Sequence, residues 1–414
     1  MSNTSETILR RLVFGAALVG LASSLAFLLV ACGQTATSPA RSPAAAAPPR
    51  PEWKALPAAP IKVDGALTSV WTGRELIVSG VRAGRDGTFI QATEVAAAYD
   101  PAARAWRRLA TPPRMDGPCR RGAAWSGTEM LVWGCFGKAA AFDPLTNHWR
   151  SLPEAPPGPG FTAWTGSELI GWGGGCCDEA WSGGSAYDPA NDAWRTLART
   201  PLAPSQGAIG AWTDHELVLF VDGINHADGK PYPATLARAA AYDPETDSWR
   251  RLASPPTPLE GVAVWDGHEL LVAGGGRTAL AYNPASNRWR RLAPLPSPRF
   301  GQTMVWTGNR LLLWGAPTPD RFTPDPVHGF AYDPAADRWS TLPEMPFADV
   351  NTTATWTGHR LLVWSGSGAG ASFGPAAKRS PALGTRRMEP PLGAVPRFCG
   401  RTVTGPSQGR CGGP

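Results

Sequence analysis

The sequence repeats itself seven times, and no other feature limits the possible folds as strongly. Two anchors alternate along its 414 residues. The first is Trp-Thr-Gly-x-Glu-Leu, or a close variant, followed by an apolar run; its tryptophans are Trp71, Trp125, Trp164, Trp212, Trp265, Trp306 and Trp356. The second is a Tyr-Asp-Pro turn, four further residues, and then Trp-Arg-x-Leu. Its heads run from Tyr99 through Phe142, Tyr187, Tyr242 and Tyr282 to Tyr332, and its tryptophans are Trp106, Trp149, Trp194, Trp249, Trp289 and Trp339. A worn seventh copy begins at Phe373 and carries Ser380 where Trp belongs. The missing Trp lies at the other end of the chain, in Trp53-Lys54-Ala55-Leu56-Pro57. Units of this kind cannot bury both faces alone, so they must stack on their neighbours.

Each unit reads as four short strands. A small-residue strand, such as Gly122-Ala123-Ala124, suits a crowded central axis. A Thr-Gly turn leads to an apolar strand such as Met130-Leu131-Val132-Trp133, and a third strand ends at the Asp-Pro turn. The fourth is Trp-Arg-x-Leu. The 47 Gly and 43 Pro exclude a mostly helical chain, and the 19 Trp exclude disorder. The pattern resembles the kelch-repeat β-propeller family, whose repeats carry a di-glycine after the second strand and spaced Tyr and Trp. Gly173-Gly174 and Gly274-Gly275 keep that pair. The resemblance implies an all-β, seven-bladed propeller over residues 51–383, with residues 384–414 as an irregular tail. Residues 53–57 supply a fourth strand before any first strand exists, so the expected closure pairs this N-terminal strand with the last blade. A local strand around Arg387-Met388-Glu389 is the alternative.

The N-terminus sets an expected compartment. Arg10 and Arg11 precede an apolar run that ends in Leu29-Val30-Ala31-Cys32. The arrangement is that of a secretory signal, and the tetrapeptide resembles the bacterial lipobox. That resemblance implies a lipoprotein signal peptide over 1–31, acylation of Cys32, an Ala/Pro-rich tether over 32–50 and an extracytoplasmic, membrane-anchored location. Six cysteines then remain of the seven, an even number for an oxidising compartment. Cys119 and Cys135 lie equally far from Gly127, at the centre of a hairpin, and are expected to pair. Cys399 with Cys411, and the vicinal Cys176-Cys177, are the other expected bonds.

Function is expected where the repeat is irregular. The spacing from the first-anchor Trp to the following Tyr or Phe is 17 in blades two, five and seven, but 28, 23, 30 and 26 in blades one, three, four and six. These second-to-third loops share a face with the blade-to-blade connections, and variable loops on a rigid scaffold carry function. The candidate ligand-face residues are Arg85, Arg114, Arg121, Asp178, Glu179, Trp181, His226, Tyr232, Arg299, Arg321 and His328. Trp181 is the Trp that no repeat position explains; it either offers a stacking surface or folds back on its own blade.

Catalytic signatures are weak. Gly370-Ala371-Ser372-Phe373-Gly374 matches the G-x-S-x-G string, but it falls in a repeat rather than at a strand–turn–helix elbow. Galactose oxidase contains a kelch propeller and holds copper with His and Tyr ligands that this sequence does not match. Kelch-type sialic-acid epimerases use Arg and Glu in the funnel, and no motif maps them here. Neither metal nor cofactor is expected. The charge of +6 comes from scattered Lys and Arg, which excludes the concentrated patch that nucleic acid requires. Three readings stand: a monomeric surface module that binds or scaffolds a protein or glycan, a sugar epimerase or lyase, and an assembly factor for exported proteins.

Overall fold

A computed structural model describes residues 51–374, apart from 88, 90, 116–120, 135, 157, 176–178, 226–228, 317–327 and 348–350. Cys32 and the cysteines at 119, 135, 176, 177, 399 and 411 lie outside the described residues, as do Asp178, His226 and Arg321. So do the signal, the tether and the tail.

Blade three shows how local sequence makes a unit. Its strands are Phe161–Trp164, Leu169–Trp172, Gly184–Asp188 and Ala193–Thr196, paired in that order and antiparallel. In the first turn, Thr165 Oγ1 accepts from the Glu168 N–H at 2.9 Å, and Gly166 takes φ +103, where a Cβ is disfavoured. In the last turn, Asp188 Oδ1 accepts from the Ala190 N–H at 2.8 Å, and Asp192 adopts φ +49. The second strand is buried along its whole length. It sits in mid-sheet with a blade on either side, which is why it is apolar at every position instead of alternating.

Seven such four-stranded sheets follow one another. The innermost strands touch in cyclic order, and Gly65–Trp71 of blade one meets Thr352–Trp356 of blade seven. The N-terminal strand Glu52–Ala55 completes blade seven by pairing with Gly370–Gly374, Trp53 opposite Phe373. Hydrogen bonds from Leu56 to Gly370 and from Val63 to Gly366 extend the join. The closing strand is the N-terminal one. The Gly370–Gly374 string is therefore the third strand of a blade, with Ser372 buried in it.

The core is divided among seven seams, each built from two adjacent blades. At each seam a fourth-strand Trp donates its indole N–H backward, to the carbonyl four residues past the equivalent Trp of the preceding blade. The series is Trp106 to Pro57, Trp149 to Ala110, Trp194 to Pro153, Trp249 to Ala198, Trp289 to Ala253, Trp339 to Ala293 and Trp53 to Pro343, at 2.7 to 3.1 Å. The last bond crosses the closure, so the set is complete around the ring.

Candidate functional site

Antiparallel alternation places the second-to-third loops and the blade-to-blade connections on one face, around one mouth of the central channel. The wall of that channel comes from the seven first strands, and none of the seven contains an Asp, Glu, Lys, Arg or His. Small and hydroxyl residues predominate there, and Ser69 and Thr353 hydrogen-bond to each other across the closing seam.

The rim residues that sequence singled out divide into two groups. Arg121 and Arg299 are not offered to solvent; both are buried. Arg121 forms a two-pronged pair with Glu94 of blade one, Nη1 to Oε2 and Nη2 to Oε1 both at 2.7 Å, and Glu94 Oε1 also accepts from the Met115 N–H at 3.0 Å. The pair thus ties blade two to blade one and fixes the start of the connecting segment. Arg299 lies over the Phe330 ring, 4.5 Å from its centre, and donates to the carbonyls of His328 and Pro298 and to Ser297 Oγ. A cation so surrounded orders the connection it belongs to. Glu94 carried no signal of its own; its importance comes from a cation in the next blade.

Arg85, Arg114, Glu179 and His328 are exposed, and Tyr232 is half-buried against the seam between blades three and four. Trp181 is half-buried as well. Its main chain is pinned at both ends, N–H to Gly174 and carbonyl from the Ser205 N–H. A Cβ on Gly174 would lie 3.2 Å from its indole and 2.5 Å from the Gly158 carbonyl. Gln206 Nε2 bonds the Glu179 carbonyl at 3.0 Å. Gly174 therefore sits where a side chain would meet both the Gly158 carbonyl and the Trp181 indole, and the Trp181 main chain is tied to Gly174 and Ser205. The exposed candidates come from different blades: Arg85 and Arg114 from the blade-one side, Glu179 from blade three and His328 from blade six.

Seven four-stranded blades closed by an N-terminal strand define a seven-bladed β-propeller. Comparison with known proteins gives the same class: the chain is similar to a solved fungal alcohol oxidase of the AA5 family in complex with copper, at a TM-score of 0.60 and 14% identity, over 78% of this chain and 76% of that one. At that identity the likeness is one of fold. No family model matches the sequence. No curated protein matches it either. Among the described residues, no three His, Cys, Asp or Glu side chains stand close enough together to hold a metal ion. Of the described histidines, His148, His215, His268 and His359 lie at hairpin ends on the opposite face, and His328 is on the rim. The described residues do not fit a copper centre of the oxidase kind, and no chemistry is derived through one.

Proposed function

We propose that this chain is an extracytoplasmic, membrane-anchored binding or scaffold module of kelch type, which recognises a protein or glycan with the loop-rich rim of its propeller. The observation that carries the reading is the channel wall. Its seven strands carry no acidic, basic or imidazole side chain, the groups that general acid–base chemistry draws on most. The two rim arginines best placed to serve as such groups, Arg121 and Arg299, are committed to the scaffold. What remains exposed is a rim of unequal loops on a rigid ring, an arrangement suited to contact over an area. The di-glycines support the kelch assignment: Gly173, Gly174, Gly274 and Gly275 all take positive φ, at 67°, 111°, 118° and 60°.

The test uses the full chain as bait against the exported protein fraction and a glycan array. A specific partner whose binding falls when Arg85, Arg114 and His328 are together changed to Ala, with melting unaltered, supports the reading. Turnover of an amino sugar or uronate polymer by the purified chain would replace it with the enzymatic one. For the anchor, mass spectrometry of the mature protein is expected to show an acylated Cys32 as the first residue; an unmodified Cys32 overturns it.

A further inference from the structure

Blade four departs from the repeat at one turn position, and a cleft stands beside the departure. The residue after the Thr, Ser or Asp of the first hairpin is glycine in six blades, at φ between 88° and 103° for Gly73, Gly127, Gly166, Gly267, Gly308 and Gly358. In blade four it is Asp214, at φ 74°. Aspartate enters that region more readily than most residues but less easily than glycine. Its carboxylate has a partner in the next blade: Asp214 Oδ2 accepts from Trp265 Nε1 at 3.0 Å. Trp265 is half-buried, like the other six first-strand tryptophans, and its indole is held in a fixed orientation by this bond. Asp214 thus differs from the positive-φ Asp and Asn of the other turns in that its carboxylate holds an accessible aromatic of the next blade.

The cleft has a volume of about 290 Å³ and opens on the hairpin face, opposite the loop-rich rim. It is lined by His215, Glu216, Arg250, Trp265, His268 and Asn283, among others. The carboxylate of Glu216 accepts from Arg250 Nε at 3.0 Å and Nη2 at 2.6 Å, so these two charges cancel at the floor. Asp214 is not part of that lining, but its carboxylate, bonded to Trp265, stands beside the cleft and disfavours phosphates and carboxylates there. A fixed indole offers a flat apolar surface, and the imidazoles of His215 and His268 and the amide of Asn283 supply donors and acceptors around it. His215 is open to solvent, its side chain 73% exposed.

We propose that the cleft between blades four and five binds one neutral or amino pyranose ring, stacked on Trp265, with Asp214 as the residue that positions the platform. The C–H face of such a ring covers the indole, and its hydroxyls meet the imidazoles and the amide. An ammonium group gains from both the indole face and the nearby Asp214 carboxylate. The site is on the face away from the rim, so it stands whether or not the rim reading holds.

The test uses the full chain in a non-glycosidic detergent. Saturation-transfer NMR and equilibrium dialysis are run with methyl glucoside, methyl galactoside, glucosamine and glucuronate. At least one of the first three is expected to bind, and more tightly than glucuronate. Asp214→Gly restores the turn of the other blades; it is expected to leave the melting temperature equal or higher and to weaken binding about tenfold. His215→Ala with His268→Ala, both at exposed turns, is expected to weaken binding to a similar degree. The proposal is overturned if none of the first three sugars binds at concentrations of tens of millimolar, if glucuronate binds best, or if both variants retain full affinity. A lowered melting temperature in Asp214→Gly with unchanged affinity would give Asp214 a structural task and likewise overturn it.

Discussion

A single residue choice recurs through the third-to-fourth turns. Each turn holds one residue in the left-handed region: Arg104, Asn147, Asp192, Asp247, Asn287 and Asp337. Where the residue four past the previous blade's Trp is alanine, the turn residue accepts from its N–H, as Asn147 does from Ala110, Asp247 from Ala198, Asn287 from Ala253 and Asp337 from Ala293. Where that residue is Pro57 or Pro153 there is no N–H to satisfy. The turn then carries Arg104, or an Asp192 turned toward Tyr187 and Arg150. The same accounting predicts which pairs matter. Arg121 and Glu94 have side chains only 1% and 7% exposed, so Arg121→Met leaves an uncompensated buried carboxylate and is expected to lower unfolding free energy by about 3 to 5 kcal/mol. The equivalent loss for Arg290→Ala, whose pair with Glu269 is nearly half-exposed on the arginine side, is expected to be within about 1 kcal/mol. Denaturant melts of the two variants check the contrast. Two buried tryptophans offer a finer comparison. Trp133 Nε1 donates to the Pro156 carbonyl at 3.0 Å, whereas the buried Nε1 of Trp172 has no partner among the described residues. Trp133→Phe is expected to cost about 1 kcal/mol more than Trp172→Phe; equal losses would show that the bond contributes nothing.

Among the elements, the N-terminal strand has the largest consequence for its size. It has four residues, yet it covers the edge of Gly370–Gly374 and brings Trp53 to 5.0 Å from the Phe373 ring and 5.7 Å from Trp314. Deleting Glu52–Ala55 exposes that edge, removes the aromatic cluster and breaks the Trp53–Pro343 bond. Calorimetry of the truncated chain is expected to show a clearly lower melting temperature, and hydrogen exchange to show lost protection first at Ser372 and Gly374, whose register sets them against Lys54 and Glu52. An unchanged melt would mean that another segment completes the blade. This element was legible in the sequence because a fourth-strand motif stood at one end of the chain and its absence at the other. The seven blades were legible for the same reason: the Trp, Tyr and Gly of the repeat are the residues that the seams and turns require. The rim was read less well. Arg121 and Arg299 looked like available cations because burial is decided by partners in other segments, Glu94 and Phe330, which local pattern does not reveal. Asp214 was visible as a departure from glycine, but its meaning depends on Trp265, which lies 51 residues later in the next blade.

Over the whole molecule, the seams carry a titrating belt. Arg150 of blade two is bonded to Glu129 of its own blade and to Tyr187 of blade three, and Arg195 reaches from Glu168 to Tyr242 in the same way. Burial, with the carboxylate of Asp192 or Asp247 beside the hydroxyl, pushes Tyr187 and Tyr242 up to about 12. Burial raises Tyr282 to about 12 as well. Each folded value lies above that of an unfolded tyrosine, so the folded chain holds protons that the unfolded chain releases. The resulting stability is complete below about pH 10 and is lost as the pH rises toward 12. At the other end, the hydroxyl of Tyr242 holds Asp247 below the usual carboxylate range, and the Ala293 N–H, with Tyr332, does the same for Asp337. Their contribution is present above the unfolded carboxylate value and disappears as the pH falls through the lowered ones. A melting-temperature profile against pH is expected to decline on both sides, and Tyr187→Phe with Tyr242→Phe to flatten the alkaline limb; an unaltered limb would place the loss elsewhere. The indole-to-carbonyl bonds across the seams have a different consequence. All seven point the same way around the ring, each blade giving a donor to the one before it and offering an acceptor to the one after it. The interface is therefore polar in the sense of a one-way chain, and any blade can follow any other without leaving an odd partner. The number of blades is then fixed by geometry, through the angle at which successive sheets meet, while the chemistry of the joints is indifferent to it.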